Sequence, residues 1–283
     1  MQKIEHQWQC PQCKQPLALC GQNTPTIWTC SNNHHFDLAK EGYVNLLLAQ
    51  HKKSKAPGDN KEMVLARRAF LAEGHYQNLA NAIADFITQH FKEADGLLAL
   101  FDAGCGEGYY LGELSKALAP HFANLRVAGI DISKPAVQKA AKHNKNGHFA
   151  VASTYNLPLP SLSQNVVIQI FAPSSDEEIR RVLQSSGLWI QVNPAPNHLL
   201  ALKEMIYNTP ELHTIDSEVN DGFNLINQEQ IAFDIHLTST QTRQNLLMMT
   251  PYYWTISQAK KDALIAGLNE VQAHFDIKVL QKL

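Results

Sequence analysis

An imbalance of charge is missing from this sequence. It carries 24 Lys and Arg against 26 Asp and Glu, a net charge of −2 over 283 residues. That excludes a strongly basic nucleic-acid coat protein, although local patches stay open. Long apolar runs are missing as well. No stretch approaches the roughly 20 residues that a membrane-spanning helix requires, so no membrane partner is expected. The opening Met1-Gln2-Lys3-Ile4-Glu5-His6-Gln7 is polar and shows no secretory leader. Cysteine is scarce: there are five, an odd number, and four of them fall before residue 31. Clustered thiols without a leader speak for metal binding in a reducing, cytoplasmic compartment rather than for disulfides. What is present is an ordinary globular composition, 45% hydrophobic and 18% charged, long enough for one α/β core with an appendage.

The chain divides by composition into three parts. Residues 1–38 hold Cys10, Cys13, Cys20, Cys30 and two adjacent histidines with little apolar periodicity, and so short a segment needs a staple to fold. Residues 39–75 read as a connector, with Gln50 to Asp59 an exposed loop. Nine Lys and Arg oppose six Asp and Glu up to residue 75, so the front end is the basic end. From residue 76 to 283 the pattern is that of an α/β domain. Leu79, Ile83, Phe86 and Ile87 form a helical stripe, and Leu97 to Asp102 is a short apolar run suited to a buried parallel strand. Further strands are expected at 125–131, 148–152, 166–171 and 188–192, separated by helices at 110–118 and 135–143. Such alternation predicts an open parallel sheet covered by helices on both faces. Lys260 to Phe275 reads as helix and Ile277 to Leu280 as strand.

Between the first strand and its helix lies Asp102-Ala103-Gly104-Cys105-Gly106-Glu107-Gly108. Its glycines permit a tight turn and let a ligand lie against backbone N–H groups. A dinucleotide fingerprint would place its third glycine at 109, where Tyr109 stands, so that motif is not met. The preceding acid, Asp102, suits a ligand with a positive charge nearby, such as an amino-acid moiety or a sulfonium. Asp131 ends the second strand, where a carboxylate can accept both hydroxyls of a ribose. Asn193-Pro194-Ala195-Pro196 imitates the Asn-Pro-Pro-aromatic motif of exocyclic-amine methylation, but it follows the fifth strand and lacks the aromatic residue. Phe171-Ala172-Pro173-Ser174, after the fourth strand, offers no evident general base.

Cys10-Pro11-Gln12-Cys13 and Cys30-Ser31-Asn32-Asn33-His34 have the spacing of a four-ligand structural zinc site. His34 and His35 both compete for the fourth position. His34 is preferred, because Phe36 and Asp37 begin the next element. Cys20, separated from Cys13 by six intervening residues, does not make a second knuckle.

The stretch Asp102 to Gly108 with Asp131 resembles the first two motifs of class I (Rossmann-like) S-adenosylmethionine-dependent methyltransferases. The resemblance implies that Gly104, Gly106 and Glu107 line the methionine end of the cofactor and that Asp131 holds its ribose. It also implies that Ala152 to Pro158 flanks the adenine, although Ser153 and Asn156 stand where many members have an acid. Over its whole length the chain resembles the RlmA (RrmA) family of bacterial 23S rRNA guanine-N1 methyltransferases. The likeness runs from Cys-Pro-x-Cys through His34 to Leu47, Pro57-Gly58-Asp59, Ala66 to Leu71, Gly74-His75-Tyr76, the glycine loop, Ala172-Pro173, His198-Leu199 and Met249-Thr250-Pro251. It implies zinc on Cys10, Cys13, Cys30 and His34, and cofactor contacts by Tyr76, Gly106, Glu107 and His198. It further implies methylation of one guanine in a hairpin of 23S rRNA by a homodimer. On residues alone, Tyr76 reads as a core or capping aromatic and His198 as a surface histidine. Lys52, Lys53, Lys55, Arg67 and Arg68 read as a solvated basic run when taken alone. Beside a zinc module and a methyltransferase core they read as RNA contacts. The chain departs from the family before the fifth strand, where Gln184-Ser185-Ser186-Gly187 replaces a Lys-Pro-Gly-Gly turn. Two rival readings are a methyltransferase of a small molecule and a non-catalytic RNA-binding homologue.

Overall fold

Segments too short to bury a core of their own open the chain, and they associate through backbone pairing. In the computed structural model, which describes residues 8–21, 26–51, 54, 57–92 and 96–283, β1 (Ala18–Cys20), β2 (Ile27–Thr29) and β3 (His35–Asp37) form a three-stranded antiparallel ribbon. The expected basic loop residues Lys52, Lys53 and Lys55 lie outside the described residues.

The segment 39–75 does more than connect. It supplies β4 (Tyr43–Asn45), which joins the edge of the main sheet parallel to a later strand. It also supplies α1 (Lys61–Ala72), whose cap Asn60 accepts a hydrogen bond from the Met63 N–H at 2.9 Å. The helical stripe then appears as α2 (Gln77–His90), burying Leu79, Ile83 and Ile87. There follow β5 (Leu97–Ala103), α3 (Tyr109–Leu118), β6 (Asn124–Asp131), α4 (Lys134–His143), β7 (His148–Val151), β8 (Gln164–Ile170), α5 (Asp176–Val182) and β9 (Leu183–Pro194). The chain closes with α6 (Leu200–Ile206), β10 (Phe223–His236), α7 (Thr240–Met248), α8 (Gln258–Gly267) and β11 (Glu270–Lys282).

The eight-stranded sheet has the order β10-β11-β9-β8-β5-β6-β7-β4. Strands β4 to β9 pair in parallel, while β11 lies antiparallel to both β9 and β10. The winding reverses between β5 and β8, so a crevice opens at their carboxyl ends, the usual ligand position in such sheets. Every residue of β5 after Leu97 is buried, as a strand covered on both faces should be. On one face α1 to α4, α6, α7 and α8 pack over Leu100, Ile168 and Ile190. On the other, Trp8, Leu17 and Trp28 of the ribbon share a core with Ala128, Ile130, Ala150, Leu157 and Leu159. The crossover from β7 to β8 contains no helix, and the ribbon covers the face it leaves open.

One expectation is corrected. Residues 270–275 are strand, because Val271, Ala273, Phe275, Ile277 and Val279 alternate inward with a period of two through β11. Only Gln258–Gly267 is helix. The long strand β10 was not expected from the pattern. As an edge strand it is mostly exposed and half polar, which hides its alternation.

Candidate functional site

Three glycines turn the chain from β5 into α3 with left-handed backbone, at φ +109° (Gly104), +53° (Gly106) and +84° (Gly108). They differ in what surrounds them. A Cβ at Gly104 would stand 2.3 Å from the Ala172 Cβ, whereas at Gly106 it would meet nothing within 4 Å. Gly104 therefore lets the loop touch the end of β8, and Gly106 faces open space. The Gly104 and Cys105 N–H groups donate to the Ile130 carbonyl at 3.0 and 2.8 Å, fastening the loop to β6. Asp131, at the end of β6, accepts from the Gly106 N–H at 2.9 Å and the Ser133 N–H at 2.7 Å. Burial nonetheless lifts its carboxyl above the usual range.

The connector closes this crevice. Gly58 packs so tightly that a Cβ there would lie 2.9 Å from Ile132 Cγ2, and Ser133 Oγ donates to the Asp59 carbonyl at 2.7 Å. Asp59 in turn pairs with Arg67, whose Nη2 donates to the Met249 carbonyl at 3.2 Å. Arg68 holds Glu107 at 2.8 Å. Arg67 and Arg68 thus brace the walls of the crevice through carboxylates. The resulting cleft of about 260 Å³ is lined by Gly58, Asp59, Arg67, the 104–107 loop, Asp131 and Phe171 to Pro173. Asp59 is a cleft residue that sequence reasoning missed, and Arg67, expected as an RNA contact, lines the cleft beside it. The turn Pro57-Gly58-Asp59 ahead of a helix was the only local signal for Asp59.

A second cavity of about 600 Å³ adjoins the first, sharing Arg67, Leu71, Tyr110 and Phe171 to Pro173 with it. Tyr76 and His198 line this larger space. The His198 ring lies 6.3 Å from Tyr76 and 4.9 Å from Phe275. Its Nδ1 accepts the His274 backbone N–H at 3.3 Å, which leaves the proton of the neutral ring on Nε2. Burial, followed by the charges of His213, Lys203 and His274, brings its pKa down to about 3. The imidazole is therefore neutral at physiological pH.

The site residues expected from sequence thus separate into groups. Gly104, Gly106, Glu107 and Asp131 line the cleft, and Tyr76 and His198 stand in the adjoining space. Asp102 lies beneath the loop, 1% exposed, with its carboxyl pushed well up by burial and then by Asp131. Asn156 is placed elsewhere: its Oδ1 accepts from Lys14 of the ribbon at 2.5 Å.

Buried polar atoms without a hydrogen-bond partner gather around the loop, namely Asp102 Oδ1 and the hydroxyls of Tyr76, Tyr109 and Tyr110. Buried polar groups are normally satisfied, so this set fits a polar ligand that completes it. Open space at Gly106, a carboxylate at Asp131 and a positive-charge-tolerant acid beneath fit a nucleoside with a charged tail.

At the other end, two knuckles converge. Lys14, at φ +60°, follows the first thiol pair, and Asn33, at φ +59°, precedes His34. Cys10 Sγ and Cys30 Sγ each lie 3.4 Å from His34 Nδ1, and Cys13 Sγ lies 3.6 Å from Cys30 Sγ. All four ligand atoms lie within 4.8 Å of one another. A zinc tetrahedron with bonds of ~2.3 Å to sulfur has edges of about 3.8 Å, so the donor set fits that ion. His35 instead begins β3, and Cys20 is exposed at the end of β1.

Comparison with known proteins agrees with both halves. Residues 8–55 match the family model described as RlmA, N-terminal, and residues 100–187 match a methyltransferase domain. The chain is 33% identical over 279 residues to a protein of Micromonospora griseorubida provisionally named a 23S rRNA (guanine-N1)-methyltransferase, covering 92% of this chain and 91% of that one. It is 28% identical over 282 residues to the 23S rRNA (guanine(748)-N1)-methyltransferase of Streptomyces fradiae, covering 97% and 96%. The methyltransferase domain makes S-adenosylmethionine the cofactor, and the ribbon carries a structural zinc ion. Kinship that runs nearly end to end through both modules makes the chain a member of the 23S rRNA (guanine-N1)-methyltransferase family.

Proposed function

We propose that this chain methylates N1 of one guanine in a hairpin of 23S ribosomal RNA, using S-adenosylmethionine as donor. The observation that carries the reading is the pair of adjoining spaces at the β5–β8 switch point. One is bordered by the glycine loop and Asp131, and the other is large enough for a second ligand. When bound, S-adenosylmethionine supplies a sulfonium methyl group. Transfer of that methyl group to guanine N1 would give a neutral thioether product and release the N1 proton.

The chain's own residues do the rest. Gly104 and Gly106 bring backbone close to the methionine moiety, Glu107 faces it under the hold of Arg68, and Asp131 takes the ribose hydroxyls. Tyr76 and His198 border the space where the methyl group is passed on. Positioning the reactants and excluding water supply most of the acceleration. The neutral His198 donates from Nε2 rather than adding charge. Cys10, Cys13, Cys30 and His34 hold zinc and keep the ribbon folded.

The same reading divides the chain into a zinc module (1–38), a connector (39–75) and a methyltransferase domain (76–283), acting as a cytoplasmic homodimer. Because Arg67 and Arg68 are engaged with Asp59 and Glu107, Lys52, Lys53 and Lys55 are left as the connector's RNA contacts. The base must leave its stack to reach the cleft. Mass-spectrometric mapping of 23S rRNA from a strain lacking the gene, incubated with the protein and labelled cofactor, tests the proposal. Label on guanine N1 is expected, and label on any other atom ends it.

A further inference from the structure

The larger cavity has chemistry of its own. At about 600 Å³ it falls in the range of small-molecule sites. Two non-glycine residues in its walls have left-handed backbone, Phe171 at φ +54° and Leu199 at φ +53°. Such strain persists where the surroundings impose it, and it gathers at functional sites. Phe171 is 43% exposed in the cavity wall, its ring 5.8 Å from His198 and 5.4 Å from the buried Phe275. Aromatic faces of this kind take unstacked bases.

The electrostatics are one-sided. Among the described residues that line the cavity there is no Asp or Glu. Of its two permanent cations, Arg67 is matched by Asp59. The other, Lys203, is only 5% exposed, and the hydrogen bond the described residues give it is to the Glu211 carbonyl at 3.3 Å. An ammonium has three N–H donors, and a buried charge without a counter-charge is costly. Burial accordingly pulls Lys203 below the usual lysine range. The titratable groups that face it are His198 and His213, with Tyr252 in the same wall and Lys260 of α8 bound through its Nζ to the Ile206 carbonyl. The elements packed around it also carry carboxylates, Glu204 on α6, Asp262 on α8 and Glu270 and Asp276 on β11, but among the described residues none of these forms an ion pair with Lys203.

Guanine N1 carries its proton at neutral pH, and its lone pair becomes available only when that proton leaves. The charge left behind is shared between N1 and O6 through the ring amide. A carboxylate beside the base would repel this anion, whereas a cation would hold it. We propose that this cavity seats the extruded acceptor guanine against Phe171, and that Lys203 is a catalytic residue whose ammonium holds the charge on O6 after the N1 proton has passed to water. The inference rests on the guanine-N1 reading above. It adds the base's seat and the group that makes N1 nucleophilic.

The test is the pH dependence of single-turnover N1-methylguanine formation on unmodified 23S rRNA, for the wild type, Lys203→Met and Lys203→Arg. An opposite charge at contact distance shifts a pKa by about 1–3 units, so Lys203→Met should be slower at pH 7 by roughly 10- to 1,000-fold. The deficit should shrink as pH rises and N1 ionises unaided, while Lys203→Arg keeps most of the neutral-pH rate. Affinity for S-adenosylhomocysteine, measured by calorimetry, should be unchanged. A Lys203→Met profile like that of the wild type overturns the role, as does a deficit equal at every pH or a folded variant that no longer binds S-adenosylhomocysteine. Thermal unfolding reports whether Lys203→Met is folded, and if it is not, Lys203→Gln takes its place in the comparison. Wild-type protein that makes no N1-methylguanine overturns the parent reading instead, so the two failures are distinct.

Discussion

Two buried aspartates beside one loop illustrate how position decides a residue's role. Asp131 accepts two backbone N–H groups and borders the cleft, so its charge is available for a ligand. Asp131→Asn should weaken S-adenosylhomocysteine binding by roughly 10- to 100-fold, the worth of a charge-assisted hydrogen bond, as read by calorimetry. Unchanged affinity would remove Asp131 from the site. Asp102 is sealed beneath the loop with one oxygen unpartnered and a raised pKa. On unfolding it ionises at its ordinary value, so above about pH 4 the unfolded chain holds fewer protons than the native one there. Stability from this residue therefore falls as pH rises out of the acid range. Asp102→Asn should consequently unfold at higher urea than the wild type at pH 8, with the advantage smaller at pH 4.5. The opposite trend would mean that Asp102 is compensated in the free protein. At this scale the sequence was readable where a local constraint fixes the residue, as with the loop glycines and the acid ending β6. Asn156 was not, because Lys14, more than a hundred residues away, determines what it faces.

Elements show the same dependence on distance. Stripes such as Leu79, Ile83 and Ile87 and apolar runs such as Leu98 to Phe101 identify α2 and β5 from a few neighbours. The edge strand β10 pairs with β11 through backbone, and its own alternation is broken by a register shift between Leu225 and Asn227. The connector's role in the cleft was hidden for a similar reason: Gly58 acquires meaning only when Ile132 and Ser133 lie against it. The glycine loop makes a prediction at this scale. Gly104→Ala places a methyl group 2.3 Å from Ala172 Cβ with φ at +109°, combining overpacking with backbone strain. It should cost about 2–5 kcal/mol of stability in urea unfolding. Gly106→Ala, with φ +53° and free space, should cost only about 1–2 kcal/mol while weakening cofactor binding, since its methyl group enters the cleft. Equal stability losses for the two variants would show that they do not differ as their surroundings do.

At the scale of the whole molecule, the zinc ribbon resembles a missing layer more than an appendage. The β7–β8 crossover carries no helix, and Trp8, Leu17 and Trp28 fill that face of the sheet beside Leu157 and Leu159. The Gln9 N–H donates to the Pro158 carbonyl at 2.8 Å, tying the two together. A ribbon this small folds on its metal, so the metal indirectly seals one face of the methyltransferase core. Deleting residues 1–38 would strip that face and is a poor probe of RNA recognition. Chelation of the holoprotein, or Cys13→Ser, is the sharper test. Trp8 and Trp28 are 1% and 4% exposed, so zinc loss should shift their fluorescence to the red and open the first 40 residues to protease. The cleft is built from β5, β6, β8 and the connector, none of which carries a zinc ligand. S-adenosylhomocysteine affinity should therefore outlast the tryptophan change. If binding and fluorescence are instead lost in step as zinc is withdrawn, the ribbon and the cleft form one cooperative unit, and the zinc ion is as much a part of the cofactor site as Asp131.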